Sequence, residues 1–406
     1  MPRGGLAVAL GLLLVAGACK TAPPDPSPRG EVSRRVLDES LALGTEFLIH
    51  NQRPDGNFNY EYDWRARRQS RGDSQVRQAG AVWGLALLYH DQPSAPVGEA
   101  LRSAERFFAE HSRVADDRRF IAYPGEPEGS TGTVALIALS LVDLLRAEGG
   151  EMPPEALATY REQLAQYLRF LLAARTKDGL FHASYELERG APKGPPSPYF
   201  DGEALLALVK AAKYLERDDL WPAAIVSADQ GWLVNVERAR AEDNDSNITK
   251  GYYQWSSMAY FELATSEQPD MTRFGDRVLE LADWMIDVHR TLQRTRNTAY
   301  AYEGIIHAYA IADARGDVAR RDKYADVIQR GLTKLTSWQL GSSIGNGYVA
   351  QADASDLLAR GGVQNHAKEA PLRIDVTQHQ MHAVILARRY VYKDAGAPAP
   401  APAGPQ

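Results

Sequence analysis

Two glutamates in this sequence stand in stretches where a charge is costly. Glu303 sits between Tyr302 and Gly304-Ile305-Ile306, and Glu203 lies within Phe200-Asp201-Gly202-Glu203-Ala204-Leu205-Leu206. Desolvation disfavours an ionised carboxyl and raises its pKa toward the range useful for proton exchange at neutral pH. Both are therefore candidate catalytic acids or bases, with Tyr302 as a candidate partner. The competing reading of each is a buried ion pair with Arg77 or Arg373. Asp375 and His379 are four residues apart, so on a helix they share a face and can form a hydrogen-bonded pair. They complete the catalytic candidates. His379 and His382 are three apart, but no convincing third and fourth ligands accompany them, and neither a metal nor another cofactor is expected. Arg77 and Arg373 suit two-pronged recognition of a carboxylate, with pairing to Asp375 or Glu303 as the alternative.

Aromatic residues keep company with these groups. Tyr60, Tyr62, Tyr199, Tyr253 and Trp255 precede or open apolar segments, and Asp201 stands two residues before Glu203. Aromatic faces stack on the C–H faces of sugar rings, while carboxylates and amides bind hydroxyls. These six residues, with Arg77 and Arg373, are the candidate substrate ligands. Acid–base chemistry on glycans also uses paired carboxylates about 5 to 10 Å apart.

Residues so distant in sequence meet only if a particular architecture gathers them. Six segments are apolar nearly all round and rich in Ala, Gly and Ser: 75–89, 131–145, 202–214, 253–264, 298–312 and 376–392. Six others are charge-rich and amphipathic: 32–52, 97–112, 154–175, 221–239, 273–294 and 318–338. The two kinds alternate along the chain. A helix apolar on every side must be buried, and an amphipathic one covers it. The expected fold is all-α, an (α/α)6 toroid with an inner and an outer ring, and an open solenoid is the alternative. In a closed ring the starts of the inner helices converge at one mouth. That mouth would gather the residues named above, together with Gln75, Gln78, Gln254, Tyr300, Gln378 and His382. Connections from inner to outer helices are short, whereas those from outer to inner are long and rich in aromatic and acidic residues, as functional loops are. A partial repeat, Asp55-Gly56-Asn57-Phe58 and Asp178-Gly179-Leu180-Phe181, predicts tight turns with positive φ at glycine and a phenylalanine plugged into the core.

The N-terminus reads as a targeting segment. Arg3 precedes the apolar run 6–18, which ends at Ala16-Gly17-Ala18-Cys19 with the chain's one cysteine. This resembles the bacterial lipobox, although that family prefers Leu, Val or Ile at the position of Ala16. The resemblance implies cleavage after residue 18 and lipidation of Cys19. The expected organisation is a signal peptide over 1–18, a flexible tether over 19–31, a toroid domain over 32–393 and a disordered Ala/Pro tail over 394–406. The chain would sit in the cell envelope, lipid-anchored to the inner or outer membrane. A net charge of −6 argues against a general nucleic-acid binder.

The segments Asp55-Gly56-x-Phe58-x-Tyr60-Glu61-Tyr62-Asp63, Gln75-x-Arg77-Gln78-Ala79-Gly80 and Phe200-Asp201-Gly202-Glu203 resemble six-hairpin toroid proteins of bacterial envelopes and capsule loci. Ala301-Tyr302-Glu303-Gly304 and Arg373-Ile374-Asp375-x-x-Gln378-His379 extend that likeness. The superfamily so implied includes glycoside hydrolases, unsaturated uronyl hydrolases, sugar 2-epimerases and the C-terminal domain of D-glucuronyl C5-epimerases, the last being the nearest. No complete catalytic set from any of these aligns. The resemblance implies an extracytoplasmic enzyme acting on a polysaccharide or oligosaccharide, with acidic sugars as the expected substrate. Carboxylate and tyrosine acid–base chemistry would do the work, leaving hydrolysis, elimination and epimerisation open. The alternatives are a non-catalytic lipoprotein that binds a glycan or peptide, and a scaffold of an envelope polysaccharide system.

Overall fold

Small side chains let helices approach closely, and the second helix of each pair is built of them. In the computed structural model, which describes residues 25–393, these are α2 (Gln75–Asp91), α4 (Thr131–Glu148), α6 (Pro198–Tyr214), α9 (Asn247–Ala264), α11 (Ala299–Arg315) and α13 (Ile374–Tyr390). In α4 every residue from Thr131 to Leu145 is buried. The covering helices are α1 (Arg34–His50), α3 (Ala95–Glu110), α5 (Pro154–Ala173), α7 (Trp221–Trp232), α10 (Arg273–Asp287) and α12 (Val318–Thr336). Each buries one stripe, which in α10 includes Phe274, Val278, Leu281 and Met285. Among the described residues no helix is long and apolar enough to cross a membrane.

The ring closes. Consecutive inner helices pack side by side, and α13 packs against α2. Each outer helix lies on the inner helix before it in sequence, and α1, which has none, lies on α13. The fold is an (α/α)6 toroid, and the open solenoid is excluded. Strand β1 (Glu61–Asp63) pairs with β2 (Arg68–Gln69) on one edge and with β3 (Pro371–Arg373) on the other. Glu61 stands opposite Arg373, so the first and last long connections are joined above the seam. At the seam itself Val32 N donates to Thr333 Oγ1 at 3.1 Å and Arg34 Nη1 to Tyr392 O at 2.9 Å.

The repeated turns are structural. Gly56 and Gly179 have φ of 93° and 98°, and Phe58 and Phe181 are fully buried. An inner helix holds each turn. Gln78 Oε1 accepts from Phe58 N at 3.2 Å, and Asp201 Oδ1 accepts from Phe181 N at 2.8 Å.

The fourth pair departs from expectation. Its outer helix runs on through a π-helical stretch (Leu233–Arg238) and α8 (Ala239–Glu242), so the connection to α9 is only 243–246. The helix expected from residue 253 begins at Asn247, where Ser246 caps it by accepting from Ile248 N at 3.2 Å. The proposed signal peptide with Cys19, part of the tether and the C-terminal tail lie outside the described residues. Residues 25–31 contact the ring, with Arg29 N donating to Ile344 O at 3.2 Å.

Candidate functional site

All six inner helices start at the same end of the axis, and their first turns enclose a cavity of about 680 Å3. Arg77, Leu136, Glu203, Gln254, Tyr300 and Asp375 each come from a different inner helix. That size suits one or a few sugar units.

One wall is cationic. Arg373 Nε donates to Asp375 Oδ1 at 2.9 Å, and Arg77 Nε lies 3.3 Å from Asp375 Oδ2. Burial works against charge on Asp375, but Arg373 and Arg77 outweigh it and keep the carboxyl below its ordinary range. Asp375 is thus held as a carboxylate between two arginines, the pairing weighed above as the alternative for Arg77 and Arg373. Two guanidiniums share one carboxylate, leaving positive charge on the wall. Lys250 adds to it, its ammonium 5.8 Å from the Tyr300 ring centroid.

Deeper in, His379 lines the cavity and turns Nδ1 toward Glu303, 3.1 Å from Oε1. Glu303 is fully buried, and its Oε2 accepts from Gln254 Nε2 at 2.5 Å. Burial alone would raise its pKa, as expected from sequence, but His379 and His382 more than offset this and hold it at about 2. The partner is imidazole in place of the expected arginine, and the carboxylate stays ionised. Burial opposes protonation of His379, yet Glu303 and then Asp375 outweigh it and raise its pKa. With Nδ1 engaged, Nε2 is the nitrogen left for a ligand.

Glu203 stands on the opposite helix of the ring, α6. It lines the same cavity at 3% exposure, and its Oε2 has no hydrogen-bond partner. Burial alone pushes its pKa well above the ordinary carboxyl range, which favours the protonated form. A methyl group on Gly132 would fall 2.3 Å from that oxygen, so the glycine of α4 makes the room. Gln378 Nε2, also buried without a partner, is an unused donor on the same lining. Trp255 and the half-exposed Tyr199 offer apolar faces, and Phe200 lies beside them.

Other candidates are elsewhere. Tyr302 points outward beneath α12, where a methyl on Gly331 would overlap its ring, and burial raises its phenol pKa. It does not line the cavity. Tyr253 donates to Ala301 O at 3.0 Å and packs beside Gly304, between helices and outside the cavity lining. Tyr62 donates to Asp356 Oδ2 at 2.9 Å within the loop layer. Asp201 serves the Phe181 turn and accepts from Asn235 Nδ2 at 2.9 Å; burial raises it to about 7, the two donors offsetting this only in part. None of the four lines the cavity; Tyr302, Tyr253 and Asp201 miss it because neighbouring positions on a helix point about 100° apart. Tyr60 stands at the rim, hydrogen-bonded to Arg77 and 5.9 Å from the Arg373 guanidinium by its ring centroid. Lys250 escaped the sequence reading because its segment was read as loop. On a helix it sits four residues before Gln254, on the same face.

No protein-family model matches the sequence, and neither does any curated protein. Solved structures do. The chain is similar to a sugar epimerase from a ruminal bacterium at 10% identity and a TM-score of 0.60, over 87% of this chain and 98% of that one. It is similar to a glycoside hydrolase family 76 mannosidase from Bacteroides thetaiotaomicron at 12% identity and a TM-score of 0.60, over 87% and 99%. An unsaturated glucuronyl hydrolase specific for heparin matches at 11% identity and a TM-score of 0.58, over 88% and 98%. At such identities the likeness establishes the shared toroid architecture.

Proposed function

We propose that this chain is an enzyme that moves a proton within a saccharide bearing an acidic group. One observation carries the reading. A single cavity is faced by His379, backed by the buried Glu303 carboxylate, and by Glu203, a buried carboxyl whose Oε2 has no partner and whose pKa burial raises. Neutral His379 accepts a proton at Nε2, and Glu303 stabilises the imidazolium that forms. Glu203 donates from its own position on the lining. Arg77, Arg373 and Lys250 favour a substrate carboxylate, Trp255 and Tyr199 provide stacking faces, and Gln378 offers a hydroxyl its free amide donor.

Hydrolysis fits these groups less well. It needs an ionised carboxylate opposite a protonated one, and Asp375, the ionised carboxylate of this wall, is committed to Arg373 and Arg77. Proton transfer at carbon, as in epimerisation, isomerisation or β-elimination, uses His379 and Glu203 directly. The architecture shared with a sugar epimerase and a glucuronyl hydrolase supports a saccharide substrate. We also propose export and anchoring through a lipid on Cys19, supported by the apolar run 6–18 that leads to this cysteine.

Incubation with uronate-containing oligosaccharides in D2O tests the enzymatic reading. Carbon-bound deuterium in the recovered sugar reports epimerisation or isomerisation, unsaturated-uronate absorbance reports elimination, and new reducing ends without that absorbance report hydrolysis. Deuterium uptake or absorbance is expected, and Glu203→Gln and His379→Asn should abolish it. Binding without any of the three signals would make the chain a glycan-binding protein and end the enzymatic reading.

A further inference from the structure

The mouth cavity has a closed floor and an uneven rim. Trp255 lines it, Trp83 lines a larger cavity of about 1310 Å3 at the far end of the axis, and the two indoles meet between with centroids 5.5 Å apart. His382, one turn beyond His379 on α13, also belongs to the far cavity, its ring centroid 5.1 Å from that of Trp83. A saccharide chain therefore cannot thread the axis, and whatever follows a bound sugar leaves by the mouth. On one side the mouth is walled. The connection into α2 runs from residue 51 to 74 and carries β1 and β2, which β3 joins above the seam. Across the ring the connection into α9 is only 243–246, so the first turn of α9 stands bare.

Apolar surface lies where the rim is low. Among the described residues six large apolar side chains are exposed, and two of them, Tyr199 at 48% and Ile248 at 44%, belong to this edge. Gly251 brings them together. A methyl group on it would fall 2.9 Å from Tyr199 Cε2 and 3.2 Å from Pro198 Cγ, so the start of α6 lies against α9 at that point. Ile248 is three residues before Gly251, one turn nearer the solvent on the same face. Lys250, two positions from Ile248, turns the other way, toward Tyr300 of α11. Tyr199 and Gly251 also line the cavity, so the apolar strip continues its wall outward. We propose that Pro198, Tyr199 and Ile248 form a stacking surface for the sugars that follow the reacting one, so that the substrate is the end of a saccharide chain. The proposal rests on the reading of the cavity as the saccharide site. Arg77 and Arg373 hold the carboxylate at α2 and α13, which leaves the low rim of α6 and α9 for the rest of the chain.

A length series tests this on the full chain. The ligands are glucuronate and the disaccharides and trisaccharides that carry it at either end beside neutral glucose units, each titrated in calorimetry. The trisaccharide of one set should bind about tenfold more tightly than glucuronate itself. Ile248→Ser should lose about fivefold of that gain, for about 40 Å2 of apolar surface left uncovered, and should bind glucuronate as the wild type does. In turnover the same variant should raise KM for the trisaccharide with kcat unchanged. Its side chain is exposed, and thermal unfolding at the wild-type temperature excludes misfolding. Equal affinity for all lengths in the wild type, or a trisaccharide that binds Ile248→Ser as tightly as the wild type, overturns the surface. A flat series with self-association that Ile248→Ser disperses in sedimentation overturns it too, and assigns the strip to a second copy of the chain. Length-dependent binding that the variant loses, with no chemistry on any ligand, keeps the strip and ends the enzymatic reading. No binding by any ligand ends the reading of the cavity as an acidic-saccharide site, and the strip with it.

Discussion

Replacing Glu303 by glutamine removes a charge from the axis while keeping its shape. A carboxyl held at about 2 in place of its ordinary 4.5 stabilises the fold by about 3 kcal/mol, at about 1.4 kcal/mol per pH unit. The sign follows from linkage. A lowered carboxyl pKa gives stability that is present above 4.5 and lost as pH falls toward 2. The raised pKa of His379 gives stability that is full below 6.5 and lost as pH rises through the folded-state value. Both describe one interaction, so it is counted once. The stability difference between wild type and Glu303→Gln should therefore rise and fall with pH. It should reach about 3 kcal/mol between about pH 4.5 and 6.5 and shrink on both sides. Urea denaturation at a series of pH values across both limbs measures it. A difference that is flat in pH, or a variant as stable as wild type near pH 6, would refute a charged Glu303–His379 pair.

Other substitutions separate the cavity from its supports. Arg77→Ala should weaken a uronate oligosaccharide by about tenfold, the worth of one charge-assisted hydrogen bond, and leave its neutral counterpart unchanged in calorimetry. Asp201→Asn turns an amide donor toward Phe181 N–H or Asn235 Nδ2, and should cost about 2 kcal/mol in urea denaturation with saccharide affinity unchanged. Tyr302→Phe should leave kcat and KM as they are, because that phenol faces α12. Cys19→Ala should abolish incorporation of labelled fatty acid and move the chain from the membrane fraction to the soluble one.

The architecture was legible because burial writes itself into composition. A run such as Thr131 to Leu145, which carries only one charge, Asp143, can exist only inside a protein. The turn phenylalanines announced themselves through Asp-Gly. The site was legible by element more than by residue. Glu203, His379, Trp255 and Arg373 line the cavity, whereas Tyr302 beside Glu303 and Tyr253 beside Trp255 face away. Sequence proximity to a helix start says nothing about which way a side chain points. The spacing did hold a finer signal. Asp375, Gln378, His379 and His382 follow three–four periodicity on α13, the pattern of one face looking down the axis. What no pattern could reveal was depth, and depth places His382 in the far cavity. The start of α9 was missed because its first turn, Asn247 to Tyr252, is polar apart from Ile248 and Tyr252, and so lacks the apolar signal that marked the inner helices.

The seam where α1 rests on α13 has a consequence for the birth of the molecule. Its two faces come from opposite ends of the described chain, so they meet only after nearly all of it has been made. Until then the Ala- and Leu-rich flanks of α2 lack their last neighbour and stay open to unwanted partners. Arg373, Asp375 and His379 also arrive with α13, so a polypeptide cut before it has neither a finished wall nor His379. A chain interrupted before α13 therefore carries neither the closed ring nor the completed cavity lining.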